Sequence, residues 1–321
     1  MLTRAIRGIL ALCFMAGVII GISGISKAQE AVTIPVQDIT VEATPERLAR
    51  GEYLSKDVAL CLDCHSARDW SKNTAPVIEG TWGEGGEPFP DFFGIVYSRN
   101  ITPAGIGDWT DGELYRAITS GISKDGTALF PVMPYPTYGK MDQEDIFSII
   151  AYIRTLAPIE NEVPARELNP PFDELVNIMP AASSHKEIPD KSDTFAYGEY
   201  LTSFASCDEC HTPRDEMGQY IEGMRLAGGV EFPLPTGLVV TANITPDEET
   251  GIGTWTREGF IARFAIYRDE DMLFPLTEGT PNSIMPWSRY CQMTDEDLGA
   301  IYEYISTLPA VHHEVNHYPG T

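Results

Sequence analysis

The chain has 321 residues, with 47 acidic side chains against 22 lysines and arginines, and its formal net charge is −25. A length of this order accommodates two domains of ordinary size. The negative charge excludes a nucleic-acid-binding surface and favours basic partners, or simply keeps the protein in solution. With 28 glycines, 24 prolines and no long heptad run, we expect a compact loop-rich protein and not a fibrous one.

The first 28 residues have the features of an export signal. Arg4 and Arg7 precede an apolar stretch at 9–22, and Ser26-Lys27-Ala28 places small residues at the two positions that a signal peptidase reads. We therefore predict residues 1–28 as a signal peptide and expect a periplasmic protein. An uncleaved anchor is the alternative, because the apolar stretch approaches the ~20 residues that span a bilayer.

The first predicted domain, residues 44–163, opens with a helix. Thr44-Pro45-Glu46 is typical of a helix start, with threonine as N-cap, proline at the first helical position and acid in the first turn. Gly51 lies inside this helix and weakens it by roughly 1 kcal/mol relative to alanine, so we expect a close helix crossing there. The predicted partner helix begins after Asp142 and carries apolar residues at helical spacing as far as Leu156.

Two copies of one short motif carry most of the chemical information: Cys61-Leu62-Asp63-Cys64-His65 and Cys207-Asp208-Glu209-Cys210-His211. Cys-x-x-Cys-His is the attachment signature of haem c, in which two thiols bond to the porphyrin edge and the histidine ligates the iron. A redox dithiol or half of a zinc site is the alternative for one Cys-x-x-Cys, but only Cys13 and Cys291 remain as further cysteines. We therefore predict two covalent haems c, bound by Cys61, Cys64, His65, Cys207, Cys210 and His211.

Methionine decides what occupies the second axial position of each iron. Between the predicted helices of the first half, the chain is rich in Gly, Pro and aromatic residues, and we expect loops around the haem plus one short helix at 111–120. Met133-Pro134 lies just before the closing helix, and Met285-Pro286 holds the same place in the second half. A proline directly after the thioether stiffens the loop, so we predict Met133 and Met285 as iron ligands opposite His65 and His211. Core packing is the alternative role.

The second half repeats the first. Residues 164–193 contain several prolines and mixed charge, which predicts a linker, and the motifs then recur in the same order over 194–311, the second predicted domain. Asn100-Ile101-Thr102-Pro103 matches Asn243-Ile244-Thr245-Pro246, for which we expect a structural role beside the haem; Thr294-Asp295-Glu296-Asp297 is spaced as a capping box. This repetition indicates duplication of one haem domain, and the predicted fold is all-α.

Electron transfer is the expected function, because an iron with both axial positions filled does not readily bind peroxide or oxygen. The competing prediction is an enzyme, such as a diheme peroxidase or a thiosulfate-oxidising cytochrome, with Cys291 or His185 at one iron. A structural haem module within a larger respiratory assembly is a third. Arg68 and Arg214 are candidates to contact haem propionates, although simple packing is as good an explanation.

The ordered motifs resemble a known family. Gly-Glu-Tyr-Leu, Cys-x-x-Cys-His, Asn-Ile-Thr-Pro, Gly-Ile-Gly-x-Trp and Met-Pro-Tyr-Pro-x-Tyr, spread over roughly 46–311, are similar to the cytochrome c subunits of membrane-associated alcohol, gluconate and aldehyde dehydrogenases. The resemblance implies two class I cytochrome c-like domains, a dehydrogenase as electron donor, and a downstream cytochrome, oxidase or quinone as acceptor. Many such subunits have three haem motifs and this chain has two, so a diheme carrier, soluble or peripherally attached to the membrane, fits better than direct quinone reduction.

Overall fold

A computed structural model describes residues 31–215, 218–234 and 236–319. The predicted signal peptide, residues 1–28, lies outside these described residues. The α-helices before the linker are α1 Pro45–Tyr53, α2 Cys61–Cys64, α3 Pro103–Ile106, α4 Asp111–Ser120, α5 Tyr135–Tyr138 and α6 Gln143–Ile153. The later ones are α7 Phe172–Leu175, α8 Thr194–Phe204, α9 Cys207–His211, α10 Arg257–Ala265, α11 Trp287–Tyr290 and α12 Asp295–Ile305.

The remaining elements are short. A π-helical turn, Leu54–Val58, follows α1, and 3-10 turns lie at Val176–Ile178, Ile266–Arg268 and Glu270–Leu273. The strands are β1 Pro88–Asp91, β2 Gly94–Tyr97, β3 Glu167–Leu168, β4 Glu231–Leu234 and β5 Gly237–Val240. No helix in the described part of the chain is long and apolar enough to cross a membrane.

The longer helices begin where their capping residues predict. Thr44 Oγ1 accepts a hydrogen bond from the N–H of Arg47 at 3.3 Å, and proline and acid follow in the first turn as expected. The side chain of Asp142 accepts from the N–H of Glu144 at 2.8 Å and starts α6. These side chains satisfy N–H groups that have no partner inside their own helices.

The close helix crossing predicted at Gly51 is confirmed. A Cβ added to Gly51 would collide with the carbonyl oxygen of Ser148 in α6, so α1 and α6 pack backbone to backbone. Gly198 in α8 meets the carbonyl oxygen of Ala300 in α12 in the same way. Each half is therefore closed by one pair of helices, from its beginning and its end.

The prediction of an all-α fold is wrong. Strands β1 and β2 form an antiparallel hairpin that β3 extends to three strands, and β4 and β5 form a second hairpin in the other half. Gly94 and Gly237 have φ values of +114° and +127° at the turns, a backbone region that glycine adopts readily. The four hairpin strands were hidden in the sequence because each is four residues long and contains a proline or glycine, which are ordinarily signals for loops. Strand β3 has only two residues, too few for any pattern.

The two halves pack together through a reciprocal pair of contacts. The hydroxyl of Tyr53 donates to Asp297 Oδ2 at 2.6 Å, and the hydroxyl of Tyr200 donates to Asp145 Oδ2 at 2.7 Å. Tyr53 and Tyr200 are the tyrosines of the repeated Gly-Glu-Tyr-Leu, so the same position in each half binds the closing helix of the other. The capping box predicted at Thr294 is only half formed, because the carboxylate of Asp297 accepts from the other half instead. One hydrophobic cluster contains buried side chains from both halves.

A segment of the second half also covers part of the first. The N–H of Asn73 donates to the carbonyl of Phe274 at 3.0 Å, and the N–H of Leu276 donates to the carbonyl of Ser71 at 2.8 Å. The side chain of Asn282, 1% exposed, accepts from the N–H of Thr74 at 2.9 Å. The covering segment, 272–282, therefore lies over the loop that follows the first Cys-x-x-Cys-His.

Part of the predicted linker packs on the first half. Strand β3 pairs with β2, in the register Gly94 opposite Leu168. Further along, His185 Nδ1 lies 2.5 Å from the carbonyl oxygen of Met141, and its Nε2 contacts the hydroxyl of Tyr115. The segment that connects the two halves is thus fixed to the surface of the first half by specific contacts.

Candidate haem-binding sites

Both Cys-x-x-Cys-His motifs form the same short helical turn. Helix α2 begins at Cys61 and α9 begins at Cys207, and the residue before each is left-handed, with φ of 54° at Leu60 and 55° at Ser206. This conformation costs a non-glycine residue of the order of 1 kcal/mol. Strain repeated at matching positions indicates that the chain entry into each motif is set by the surrounding structure.

The histidine of each motif is oriented by a backbone carbonyl. Nδ1 of His65 lies 2.7 Å from the oxygen of Arg99, and Nδ1 of His211 lies 2.7 Å from the oxygen of Ala242. Since a carbonyl can only accept, Nδ1 carries the proton and Nε2 keeps its lone pair. Burial lowers the pKa of both histidines, which favours the neutral ring. A neutral imidazole with an anchored Nδ1–H is the form that ligates a metal through Nε2.

The repeated Asn-Ile-Thr-Pro holds the accepting carbonyl in place. Oδ1 of Asn100 accepts from the N–H and the hydroxyl of Thr102, at 2.9 and 2.7 Å, and Asn243 and Thr245 repeat these bonds at 2.9 and 2.8 Å. The residue directly before each asparagine supplies the carbonyl that accepts from the histidine. The structural role expected for this motif is therefore confirmed, and it acts through the orientation of the histidine.

Two glycines near the histidines were missed by the sequence analysis. The N–H of Gly85 donates to the carbonyl of His65 at 2.9 Å, and that of Gly228 donates to the carbonyl of His211 at 2.7 Å. Both have positive φ, 74° and 73°, and a Cβ at either would collide with the peptide that accepts from the histidine. The signal was present in the sequence, because each begins a Gly-Gly pair at the same place in its half.

The four cysteines of the motifs are free thiols. Burial raises the pKa of Cys61, Cys64 and Cys210 to about 12, and raises that of Cys207 further. A dithiol that exchanges disulfides needs a lowered pKa, so this environment does not favour a redox dithiol. Within residues 31–215, 218–234 and 236–319, no group of three or more His, Cys, Asp and Glu side chains is arranged to hold a metal ion, as a zinc site would require.

The predicted methionine ligands border the hydrophobic cluster that both halves share. Met133 and Met285 are partly buried and pack against the hydrophobic cluster that Cys61 and Cys207 also contact. The methionines at the starts of the closing helices are 0% and 1% exposed, inside the core. The first cysteine of each motif and both predicted ligands therefore border the same cluster, which extends through both halves.

The two motifs lie close to each other across the interface between the halves. Burial raises the pKa of the Cys64 thiol, and the nearby Cys210 of the other half raises it further. Burial likewise holds the pKa of Tyr290 well above its usual value, with Cys207, Cys210 and, from the first half, Tyr138 and Asp63 adding to the effect. Groups influence each other in this way only over short distances, so the two candidate sites adjoin.

The electrostatic surroundings of the two motifs differ. Asp63 lies 3.5 Å from Arg68 and their side chains are 4% and 8% exposed, whereas the equivalent pair, Glu209 and Arg214, lies at 2.5 Å with 35% and 39% exposed. Arg68 also donates to the carbonyls of the loop beneath the covering segment. The first pair acts in a medium of lower dielectric constant, so its charges influence the first site more strongly.

The residues named for the enzyme alternative have other partners. Cys291 is fully buried, and its thiol donates to the carbonyl of Tyr267 at 3.4 Å. His185, in the predicted linker, is partly buried with both ring nitrogens in contact with the first half. Neither side chain has the free, anchored ring nitrogen or accessible sulfur of a ligand.

Comparison with known proteins supports a cytochrome c. No protein-family model matches the chain. It is 28% identical over 288 residues to the cytochrome c subunit of the quinone-dependent alcohol dehydrogenase of Gluconacetobacter polyoxogenes, covering 85% of this chain and 58% of that one. It is 29% identical over 291 residues to the fructose dehydrogenase cytochrome subunit of Gluconobacter japonicus, covering 86% and 55%. It is 28% identical over 264 residues to a diheme cytochrome c-type protein of Cereibacter sphaeroides, covering 78% and 82%.

The resemblance found in the motifs is confirmed by these homologues, which are cytochrome subunits of dehydrogenases and a diheme cytochrome c. The chain spans somewhat more than half the length of the two dehydrogenase subunits. A cytochrome c binds haem covalently, and the residues present fit that group: two neutral thiols on one helical turn, a histidine whose Nδ1–H is held by a carbonyl so that Nε2 keeps its lone pair, and a thioether bordering the shared hydrophobic cluster. The fit is found in both halves.

Proposed function

We propose that this chain is a periplasmic diheme c-type cytochrome that transfers electrons from a dehydrogenase to the respiratory chain. The observation that carries the proposal is the repetition of one site: a Cys-x-x-Cys-His turn whose histidine donates through Nδ1 to a carbonyl at 2.7 Å, once in each half. Two of the homologues are named as cytochrome subunits of dehydrogenases, which supports a dehydrogenase as the electron donor. The export features of residues 1–28 support a periplasmic location.

The chain's own residues have distinct tasks in this function. Bound haem c supplies a one-electron Fe(III)/Fe(II) couple. His65 and His211 provide Nε2 as ligand, and the carbonyls that hold Nδ1–H raise the basicity of each ring. Met133 and Met285 would hold the iron through soft thioethers, which would favour the reduced state and exclude peroxide. Since the two motifs adjoin, an electron accepted at one site has a short path to the other.

The number of haems tests the proposal directly. Protein expressed with a haem-attachment system should carry two haems c per chain, measured as pyridine haemochrome against protein mass. Cys207→Ser combined with Cys210→Ser should leave one haem. The matched control is Cys291→Ser, which alters a buried thiol outside both motifs and should leave two. One haem in the unaltered chain contradicts the diheme proposal.

The axial ligands decide between a carrier and an enzyme. The near-infrared sulfur-to-iron charge-transfer band of the oxidised protein should have the intensity of one methionine per iron. Met133→Ala should remove half of the band and lower the potential of one haem. If the band of the unaltered protein has only half the intensity expected for one methionine per iron, one iron lacks a methionine ligand. That result would favour a diheme enzyme, and turnover of peroxide or thiosulfate would then identify its reaction.

The partner and the location are tested together. A periplasmic extract should contain the chain with its N-terminus after residue 28, as read by mass spectrometry. Affinity purification from the same extract should recover a dehydrogenase that reduces the purified cytochrome when its substrate is added. Recovery only from the membrane with residues 1–28 intact would replace the periplasmic assignment with an anchored one.

A further inference from the structure

One buried tyrosine in each half joins the methionine loop to the haem-attachment motif. The hydroxyl of Tyr138 donates to the carbonyl of Ala59 at 2.6 Å, and the hydroxyl of Tyr290 donates to the carbonyl of Ala205. The two tyrosines are 6% and 5% exposed. Each accepting alanine stands two residues before the first cysteine of its motif, so the bond ends at the entry to the motif.

The other end of this connection is the predicted iron ligand. Helix α5 follows Met133-Pro134 directly, and the N–H of Tyr135 donates to the carbonyl of Met133 at 2.7 Å. The N–H of Tyr138 donates to the carbonyl of Pro134 at 2.9 Å. In the second half, α11 makes the corresponding bonds to Met285 and its proline at 2.8 and 3.0 Å. Methionine and tyrosine are thus the two ends of one rigid turn.

The environment keeps each phenol in the form that can donate. Burial raises the pKa of Tyr138 well above its ordinary value, and the nearby Cys61 and Cys64 raise it further. The hydroxyl therefore stays protonated across the physiological range, and the carbonyl that it reaches is shielded from competing water. A thioether is a neutral ligand, and ordering the loop that carries it costs conformational entropy when it binds an iron. A loop that is already ordered lowers this cost and raises the fraction of protein in which the methionine is bound.

We propose that Tyr138 and Tyr290 are positioning residues for the axial methionines. Each phenol sets the separation between the Met-Pro turn and the Cys-x-x-Cys-His turn of its own half, and so holds Met133 or Met285 where the sulfur faces the iron that His65 or His211 ligates. This inference rests on the haem ligation of the proposed function, and it assigns to two residues outside the motifs a role in keeping the sixth position closed.

The test uses the haem-loaded protein and one hydroxyl at a time. Tyr138→Phe is made in a background with Cys207→Ser and Cys210→Ser, so that only the first haem is present. A matched control is available in the same helix: Tyr135 is 0% exposed and its hydroxyl has no hydrogen-bond partner within the described residues, so Tyr135→Phe removes a buried hydroxyl without breaking a bond.

The measurements are the intensity of the sulfur-to-iron band and the affinity for cyanide, which must displace the methionine. Loss of one buried hydrogen bond corresponds to about a tenfold change in an equilibrium, so Tyr138→Phe should raise cyanide affinity about tenfold and weaken the band. Tyr135→Phe should change neither. Tyr290→Phe, in a background that retains only the second haem, should reproduce the effect and provides a second independent trial.

The outcomes separate the inference from the function on which it rests. If Tyr138→Phe and Tyr290→Phe lower the melting temperature but leave the band and the cyanide affinity equal to those of Tyr135→Phe, the two tyrosines only stabilise the fold and the inference is overturned. If the unaltered protein shows no sulfur-to-iron band, the proposed ligation fails instead. A change in both quantities at the matching haem supports the positioning role.

Discussion

Replacing Tyr53 with phenylalanine should destabilise the protein more than the same change at Tyr200, although the two tyrosines occupy equivalent positions. Tyr53→Phe removes a 2.6 Å hydrogen bond to Asp297, whose side chain is 0% exposed. The carboxylate then keeps a longer bond to Lys191 at 3.1 Å and one to Tyr197 at 3.4 Å. A hydrogen bond to a charged group contributes about 1.5–3 kcal/mol, so we expect a loss of about 2 kcal/mol.

Tyr200→Phe breaks a bond of similar length, 2.7 Å, to Asp145. That carboxylate keeps both oxygens paired, because Arg50 donates to them from two nitrogens at 2.8 Å each. A bidentate arginine gives both oxygens of a buried carboxylate a charged hydrogen-bond donor. The expected loss in free energy of unfolding is therefore about 1 kcal/mol. The difference between the two losses in free energy of unfolding therefore measures how well the remaining partners of each aspartate stabilise its carboxylate.

The measurement is the free energy of unfolding from urea titrations followed by far-ultraviolet circular dichroism. Tyr97→Phe serves as the control, because the hydroxyl of Tyr97 has no hydrogen-bond partner in the described ranges, and it should change stability by less than about 0.5 kcal/mol. Equal losses for Tyr53→Phe and Tyr200→Phe, or a larger loss for the second, would refute the reasoning from the remaining partners.

Three further predictions concern single positions. Asn100→Ala should free the carbonyl that accepts from His65, lower the basicity of the ring and raise the potential of the first haem in a redox titration; an unchanged potential would show that the asparagine is not needed for that orientation. Burial raises the pKa of Asp57 to about 6, against about 3.9 in an unfolded chain. The folded state therefore binds this proton more tightly, so its contribution to the free energy of unfolding falls by roughly 2 kcal/mol as pH rises from 4 to 7, and Asp57→Asn should remove that part of the pH dependence in urea titrations. Gly51→Ala should lower the free energy of unfolding by about 3 kcal/mol, because the two helices must separate to make room for the methyl group. The control, Gly259→Ala, lies on an exposed helix face with room for a Cβ and should raise stability by about 1 kcal/mol. An unchanged stability in Gly51→Ala would contradict the close packing.

Sequence patterns predicted what depends on neighbours along the chain. The cap at Thr44, the short helix at 111–120 and the crossing at Gly51 follow from local chemistry, and the structure has all three. The repeated motifs also identified the residues around the candidate sites. Asn100 was correctly given a structural role, yet its link to the histidine could not be seen, because the two lie far apart in the chain.

The errors have physical causes of two kinds. The hairpins were missed because strands with proline and glycine have no period-two pattern long enough to see. The capping box predicted at Thr294 is incomplete because the carboxylate of Asp297 accepts a hydrogen bond from Tyr53, a residue 244 positions away. Local spacing cannot reveal that a side chain has a stronger partner elsewhere, and the covering segment 272–282 escaped prediction for the same reason.

The reciprocal contact between the halves is built like a subunit interface. In an isologous dimer, residue i of one copy touches residue j of the other, and j touches i, which is the pattern of Tyr53 with Asp297 and Tyr200 with Asp145. The repeated motifs make each half a copy of the other, so the same surface serves as both sides of this contact. The linker then replaces an association that depends on protein concentration with an intramolecular one. Dilution therefore does not separate the two Cys-x-x-Cys-His motifs.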